Sequence, residues 1–194
     1  MFATAATRHE YAPIALADTV FDNERRGELA VGTEIKNVEQ LTEPIIRRKS
    51  LEASTDASMM TLIDFGEYGL FATDEPIEHG GTGEGPSPLQ AVLGALCGCE
   101  AVTFRRTATD FDFAYERIEF TAAFTIDIRG RLGKRDVAAH FQTVRVQATV
   151  STDESQQRLA EVVAETEARC PVFNLITDAG VKTEMVWLRK PTGV

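Results

Sequence analysis

From Ser87 to Cys99 the chain reads Ser-Pro-Leu-Gln-Ala-Val-Leu-Gly-Ala-Leu-Cys-Gly-Cys, without a single charged residue. The run opens as a helix should. Ser87 suits the N-cap, Pro88 suits the first helical position, where a missing N–H costs nothing, and Gln90 at the third position completes a capping box. The spacing predicts a helix over Leu89 to about Thr107. A helix that is apolar all round as far as Cys99 must be buried on most sides, so the rest of the chain has to furnish the layers that cover it.

Several stretches have the pattern for those layers. Ile118, Phe120, Ala122, Phe124, Ile126 and Ile128 alternate with Glu119, Thr121, Ala123, Thr125 and Asp127, the period of a strand with one buried face. Val144, Val146, Ala148 and Val150 repeat it. Arg129 to Phe141, with Gly130 and Gly133 among charges, reads as a long hairpin connection. Ahead of the helix, Thr61 to Phe65 and Gly69 to Ala72 flank a turn over Gly66 to Gly69 and read as a shorter hairpin.

A second helix is expected after Ser151-Thr152-Asp153-Glu154, whose short polar and acidic side chains suit an N-terminus. Leu159, Val162, Val163, Thr166 and Cys170 then fall on one face, which aims Cys170 at the core. Pro171 begins a further short helical stretch that Gly180 ends, and Val181 to Leu188 reads as a last strand. Strands, helix, strands, helix and strand in this order make an α+β fold with mainly antiparallel sheet.

At 194 residues and 43% hydrophobic the chain can bury one sizeable core. Residues 1 to 45 show no sustained period of either kind and read as an N-terminal arm, leaving 46 to 194 as the domain. A net charge of −10 at pH 7 would repel phosphates, so neither a nucleic acid nor a membrane surface is expected as partner. Met1 to Val20 lack the pattern of a secretory signal, and no segment approaches the roughly 20 apolar residues of a spanning helix. A cytoplasmic protein is expected. There, three cysteines do not make a disulfide scaffold, and a disulfide would be transient and catalytic.

The thiols are therefore the chemistry to weigh, against the plain alternative of three core cysteines. Cys97 and Cys99 lie two residues apart, which at about 100° per residue points them to nearly opposite sides of the helix. They cannot serve one site equally. No metal or cofactor is expected: Cys-x-x-Cys is absent, and His9, His79 and His140 are scattered singly. The glycine-rich stretch His79 to Pro86 lacks a phosphate-binding signature. A thiolate deep in a helix gains little from the helix dipole and needs a cation. Arg47, Arg48, Arg105, Arg106 and Arg169 are the candidates, with the pair Arg47-Arg48 preferred.

Gly85-Pro86-Ser87-Pro88-Leu89 followed by an apolar helix to Gly98-Cys99, together with Cys170-Pro171-Val172, resembles the OsmC/Ohr family of thiol-dependent peroxidases. The likeness runs over roughly residues 60 to 190 and takes in Asp74-Glu75-Pro76 and Gly80-Gly81; its details look most like a less characterised third branch. The resemblance implies an intertwined homodimer in which two central helices pack between β-sheets, with each active site at the subunit interface. It implies that a cysteine of the first helix attacks an organic hydroperoxide and becomes a sulfenic acid. A second cysteine then closes a disulfide that a dithiol reductant reopens.

Carried onto this chain, the likeness makes Cys99 the nucleophile by the spacing of the third branch, or Cys97 by that of the other two, with Cys170 as the resolving thiol and Arg47 or Arg48 beside the thiolate. The family orients its arginine with a glutamate near the start of the first helix. The nearest positions here are Ser87 and Gln90, and Glu84 is the candidate substitute. Phe173 and Asn174 stand where the family often carries small residues. The missing glutamate motivates an alternative, a noncatalytic OsmC-like protein that binds a hydrophobic small molecule at the dimer interface.

Overall fold

The computed structural model describes residues 41 to 193. Residues 1 to 40, most of the expected arm, lie outside the described residues. The chain divides into two compact units, one ending at Gly85 and one beginning at Pro86.

In the first unit β1 (Glu52–Ser54), β2 (Thr61–Asp64) and β3 (Leu70–Thr73) form an antiparallel sheet in that order. The expected hairpin is β2–β3, paired from Thr61↔Thr73 to Asp64↔Leu70. Gly66 at φ 67° and Gly69 at φ 87° turn its corner, in conformations that only glycine adopts without strain. β1 is an addition to the reading, since three residues are too few to display a period. After β3, Asp74 organises the glycine-rich loop. Its carboxylate accepts from the Glu75 and Thr82 amides, both at 2.8 Å, from the Thr82 hydroxyl at 2.6 Å and from the Glu84 amide at 3.3 Å. These donors, the Thr82 hydroxyl foremost, hold its pKa down to about 2. The stretch from His79 to Pro86 is thus a loop folded about a carboxylate.

The second unit runs α1 (Pro88–Asp110), β4 (Arg117–Ile126), α2 (Ile128–Arg131), β5 (Phe141–Ser151), α3 (Gln156–Arg169), α4 (Pro171–Asp178) and β6 (Lys182–Lys190). α1 carries the expected capping box: the Gln90 amide donates to the Ser87 hydroxyl, and Gln90 Oε1 accepts from the Ser87 amide at 2.9 Å. β4 and β5 pair antiparallel, whereas β6 joins β5 in parallel because α3 and α4 carry the chain back along the sheet. The short α2 sits in the long hairpin connection.

One boundary differs from the sequence reading. α3 begins at Gln156 with Ser155 as its cap, not at Ser151 to Glu154. Ser151 pairs with both Arg117 and Lys190 as the last residue of β5, and Thr152 is buried with its hydroxyl donating to the Ala114 carbonyl at 2.6 Å. Sheet pairing outcompetes the local helix signal.

Leu93, Leu96, Glu100, Phe104 and Ala108 form the buried stripe of α1, which faces α3, α4 and β4. Its first part packs with Phe141, Val144, Val146, Ile176 and Val181, and its last part with Phe113, Val150, Leu159 and Val162. Phe104 also stacks on Trp187 at a centroid distance of 5.2 Å. The other face of α1, with Val92, Gly94, Ala95, Gly98 and Val102, is exposed, Val102 at 53%. The all-round burial expected of this helix is not reached within one chain.

Candidate thiol site

Cys170 occupies the corner where α3 ends and α4 begins, in an extended conformation (φ −76°, ψ 110°) that Pro171 imposes on the residue before it. Asn174 ties the corner. Its side-chain amide donates to the carbonyls of Glu167, Ala168 and Cys170, and its backbone amide donates to the Cys170 carbonyl at 3.0 Å. Asn174 therefore holds the loop that carries the thiol, while Phe173 packs on the apolar cluster around Leu96.

The fully buried Cys170 thiol interacts with two side chains of α1, Cys99 and Glu100. Cys99 is half-buried. Cys97, on the other side of the helix, packs against the cluster of Leu93 and Leu96. Of the two α1 thiols, Cys99 is the one that meets Cys170.

Glu100 was not among the candidates read from the sequence. It is fully buried at the centre of the α1 stripe, one turn from Leu96 and one from Phe104. Although its carboxylate lies against the Cys170 thiol, neither oxygen has a regular hydrogen-bond partner. Burial raises its pKa to about 7; the Cys170 S–H opposes that rise and the Glu167 carboxylate adds to it. The signal in the sequence was its place: positions 93, 96, 100 and 104 follow helical spacing, and a carboxylate stands where that stripe calls for an apolar residue.

Burial pushes the Cys170 thiol well above the ordinary cysteine range; the Phe173 amide opposes the rise, and Glu100 and Cys99 reinforce it. The Cys97 thiol is raised as well, chiefly by burial. Arg169, next to Cys170 in the chain, is paired with Asp110 at 2.6 Å and Glu165 at 2.5 Å. Arg105 and Arg106 are exposed on α1. Arg47, Arg48 and Glu84 are exposed in the first unit, and Gln90 is engaged in the helix cap. Among the sequence candidates within the second unit, the structure brings together Cys99 and Cys170, and to them it adds Glu100.

A surface cleft lined by Ala114, Tyr115, Glu116 and Thr152 contains none of the three thiols. Among the described residues no group of three or more His, Cys, Asp or Glu is arranged to hold a metal ion, and no helix is long and apolar enough to cross a membrane.

Cys99 and Cys170 thus face each other where the long helix α1 packs on the α3–α4 corner of an α+β fold. The model of the family described as OsmC-like protein matches residues 81–186, more than half of the chain, and the chain belongs to the OsmC-like family. Solved structures share the fold. An OsmC-like protein from Mycoplasma pneumoniae superposes with a TM-score of 0.64 at 14% identity, covering 76% of this chain and 99% of that one. An organic hydroperoxide resistance protein OsmC from Legionella pneumophila gives 0.58 at 18% identity, over 75% and 99%. An OsmC-like protein from Vibrio cholerae gives 0.58 at 14%, over 75% and 100%. Among curated proteins no sequence match is found.

Proposed function

We propose that this protein reduces organic hydroperoxides, with Cys99 as nucleophile and Cys170 as resolving thiol, and that it works in the cytoplasm as a homodimer. The observation that carries this reading is the interaction of the half-buried Cys99 with the buried Cys170. Two thiols that face each other closely enough for one to raise the pKa of the other are the pair that disulfide closure would join.

In the proposed reaction the Cys99 thiolate attacks one peroxide oxygen, the O–O bond breaks, and the alcohol leaves with a proton, so that Cys99 becomes a sulfenic acid. The Cys170 sulfur then attacks the Cys99 sulfur, the S–O bond breaks, and water leaves. Each chain loses two hydrogens, which a dithiol reductant restores. The exposed face of α1 supports the dimer, since Gly94, Ala95 and Gly98 let a second helix approach closely between Val92 and Val102.

Intact-mass measurement of the reduced protein before and after one equivalent of an organic hydroperoxide tests this directly, with peptide mapping of any disulfide. Loss of two hydrogens per chain and a Cys99–Cys170 link is the expected result. An unchanged mass, or a link through Cys97, overturns the assignment.

One observation favours a second reading. Burial and Glu100 hold Cys170 as a neutral thiol, the reverse of activation. An OsmC-like protein that binds an apolar small molecule at the dimer interface would have that property. A co-purified ligand in native mass spectrometry, with thiols inert to peroxide, would select it.

A further inference from the structure

Resting on the dithiol reading, the geometry points to Glu100 as the general base of disulfide closure: its carboxylate takes the Cys170 proton as the Cys170 sulfur attacks Cys99, and returns that proton to the departing oxygen. The balance closes within the site. The Cys170 S–H bond breaks and the S–S bond forms; the Cys99 S–O bond breaks and its electron pair leaves on oxygen. The proton parked on Glu100 converts that oxygen to water. Glu100 ends as the carboxylate it began as.

Three features support the assignment. A carboxylate without regular partners in a helix core is costly, and an apolar residue would fill the stripe between Leu96 and Phe104 at no such cost, so packing does not account for Glu100. Its place does: it follows Cys99 in the chain and lies against the Cys170 thiol. Finally, a buried thiol cannot attack until it gives up its proton, and Cys170 has no exposed surface through which water could take it. The upward shift of Glu100 to about 7 suits a group that must accept and release a proton near neutral pH. The ionisable groups that act on it or feel its charge are Cys170 at the α3–α4 corner, Glu167 on α3 and Cys97 on its own helix. Glu167 is itself held by the Trp187 indole N–H at 3.1 Å.

The test is a single turnover of the full-length protein with stoichiometric cumene hydroperoxide, quenched with a sulfenic-acid trap and an alkylating agent and read by mass. In wild type the closure rate should rise with pH and level off above about 7. Glu100→Gln should form the Cys99 sulfenic acid within about twofold of the wild-type rate, yet close the disulfide at least about tenfold more slowly and without that levelling. Glu100→Asp should recover part of the loss. Closure by Glu100→Gln at the wild-type rate overturns the role of Glu100 alone. Failure of wild type to form any Cys99–Cys170 bond overturns the dithiol reading and this role with it. Should Glu100→Gln not fold, the wild-type profile decides: a rate that keeps climbing tenfold per pH unit up to pH 9 overturns the role, because solvent hydroxide would then be the base.

Discussion

Glu100 and Cys170 set a carboxylate against a thiol with no exposed surface on either residue. The carboxylate helps to keep the thiol protonated, and the thiol's S–H tempers the rise in pKa that burial imposes on the carboxylate. A pair of this kind leaves marks on stability as well as on reactivity.

The first mark is a dependence of stability on pH. Glu100 goes from 4.5 to about 7 on folding, so the folded state holds the proton more tightly than the unfolded chain does. Its contribution is therefore fully present below about 4.5, is lost as pH rises to about 7, and then stays constant. The loss is on the order of 3 kcal/mol at most. Urea unfolding of the reduced protein at pH 5 and pH 8 should show this decline in wild type and a smaller one in Glu100→Gln. Equal declines in the two proteins would refute the assignment of the shift to this side chain.

A second mark is the order in which the thiols react. Cys170 is buried and held protonated, whereas Cys99 is half-buried. Timed alkylation of the reduced native protein with iodoacetamide at pH 8, read by peptide mapping, should label Cys170 at least about tenfold more slowly than Cys99. The difference should vanish in denaturant. Comparable native rates would mean that the α3–α4 corner opens readily.

Substitution of the thiols one at a time separates their roles. Cys99→Ser should abolish hydroperoxide consumption. Cys97→Ser should retain most of it, because that thiol is turned into the cluster of Leu93 and Leu96. Cys170→Ser should consume about one equivalent and stop with a trappable sulfenic acid on Cys99. Activity that survives Cys99→Ser but not Cys97→Ser would move the nucleophile to the other side of α1.

Val102 is 53% exposed on the open face of α1. A charge placed in a desolvated helix–helix contact is strongly unfavourable, so Val102→Asp should convert the proposed dimer to monomer in size-exclusion chromatography with light scattering. A dimer that persists would place the interface elsewhere.

The loop around Asp74 makes a separate prediction in the first unit. A Cβ at position 81 would stand 1.8 Å from the Glu75 carbonyl oxygen and 2.8 Å from Asp74 Oδ1. Because the backbone there cannot yield without breaking the contacts to Asp74, Gly81→Ala should destabilise the protein by about 1–3 kcal/mol in urea unfolding. A neutral result would show that the loop relaxes without cost.

Much of this molecule is legible from local pattern. The Ser87–Gln90 cap, the alternation of β4 and β5, the helical restart at Pro171 and the opposed directions of Cys97 and Cys99 follow from chemistry that acts over a few residues, and all of them appear in the structure. Other features depend on partners far away in sequence. Ser151 and Thr152 have the composition of a helix start, but pairing with Arg117 and Lys190 keeps Ser151 in the sheet. Arg169 stands beside Cys170 in the chain, yet Asp110, 59 positions away, and Glu165 claim its charge. Glu100 follows an apolar run in the sequence, and only the packing of α3 and α4 on α1 makes it a buried carboxylate facing a thiol. The sequence by itself determined most of the elements and the two thiol motifs, because caps, periodicity and proline act locally. The tertiary structure alone decided which thiol meets which and what charge stands beside them, because those are matters of which helix faces pack together.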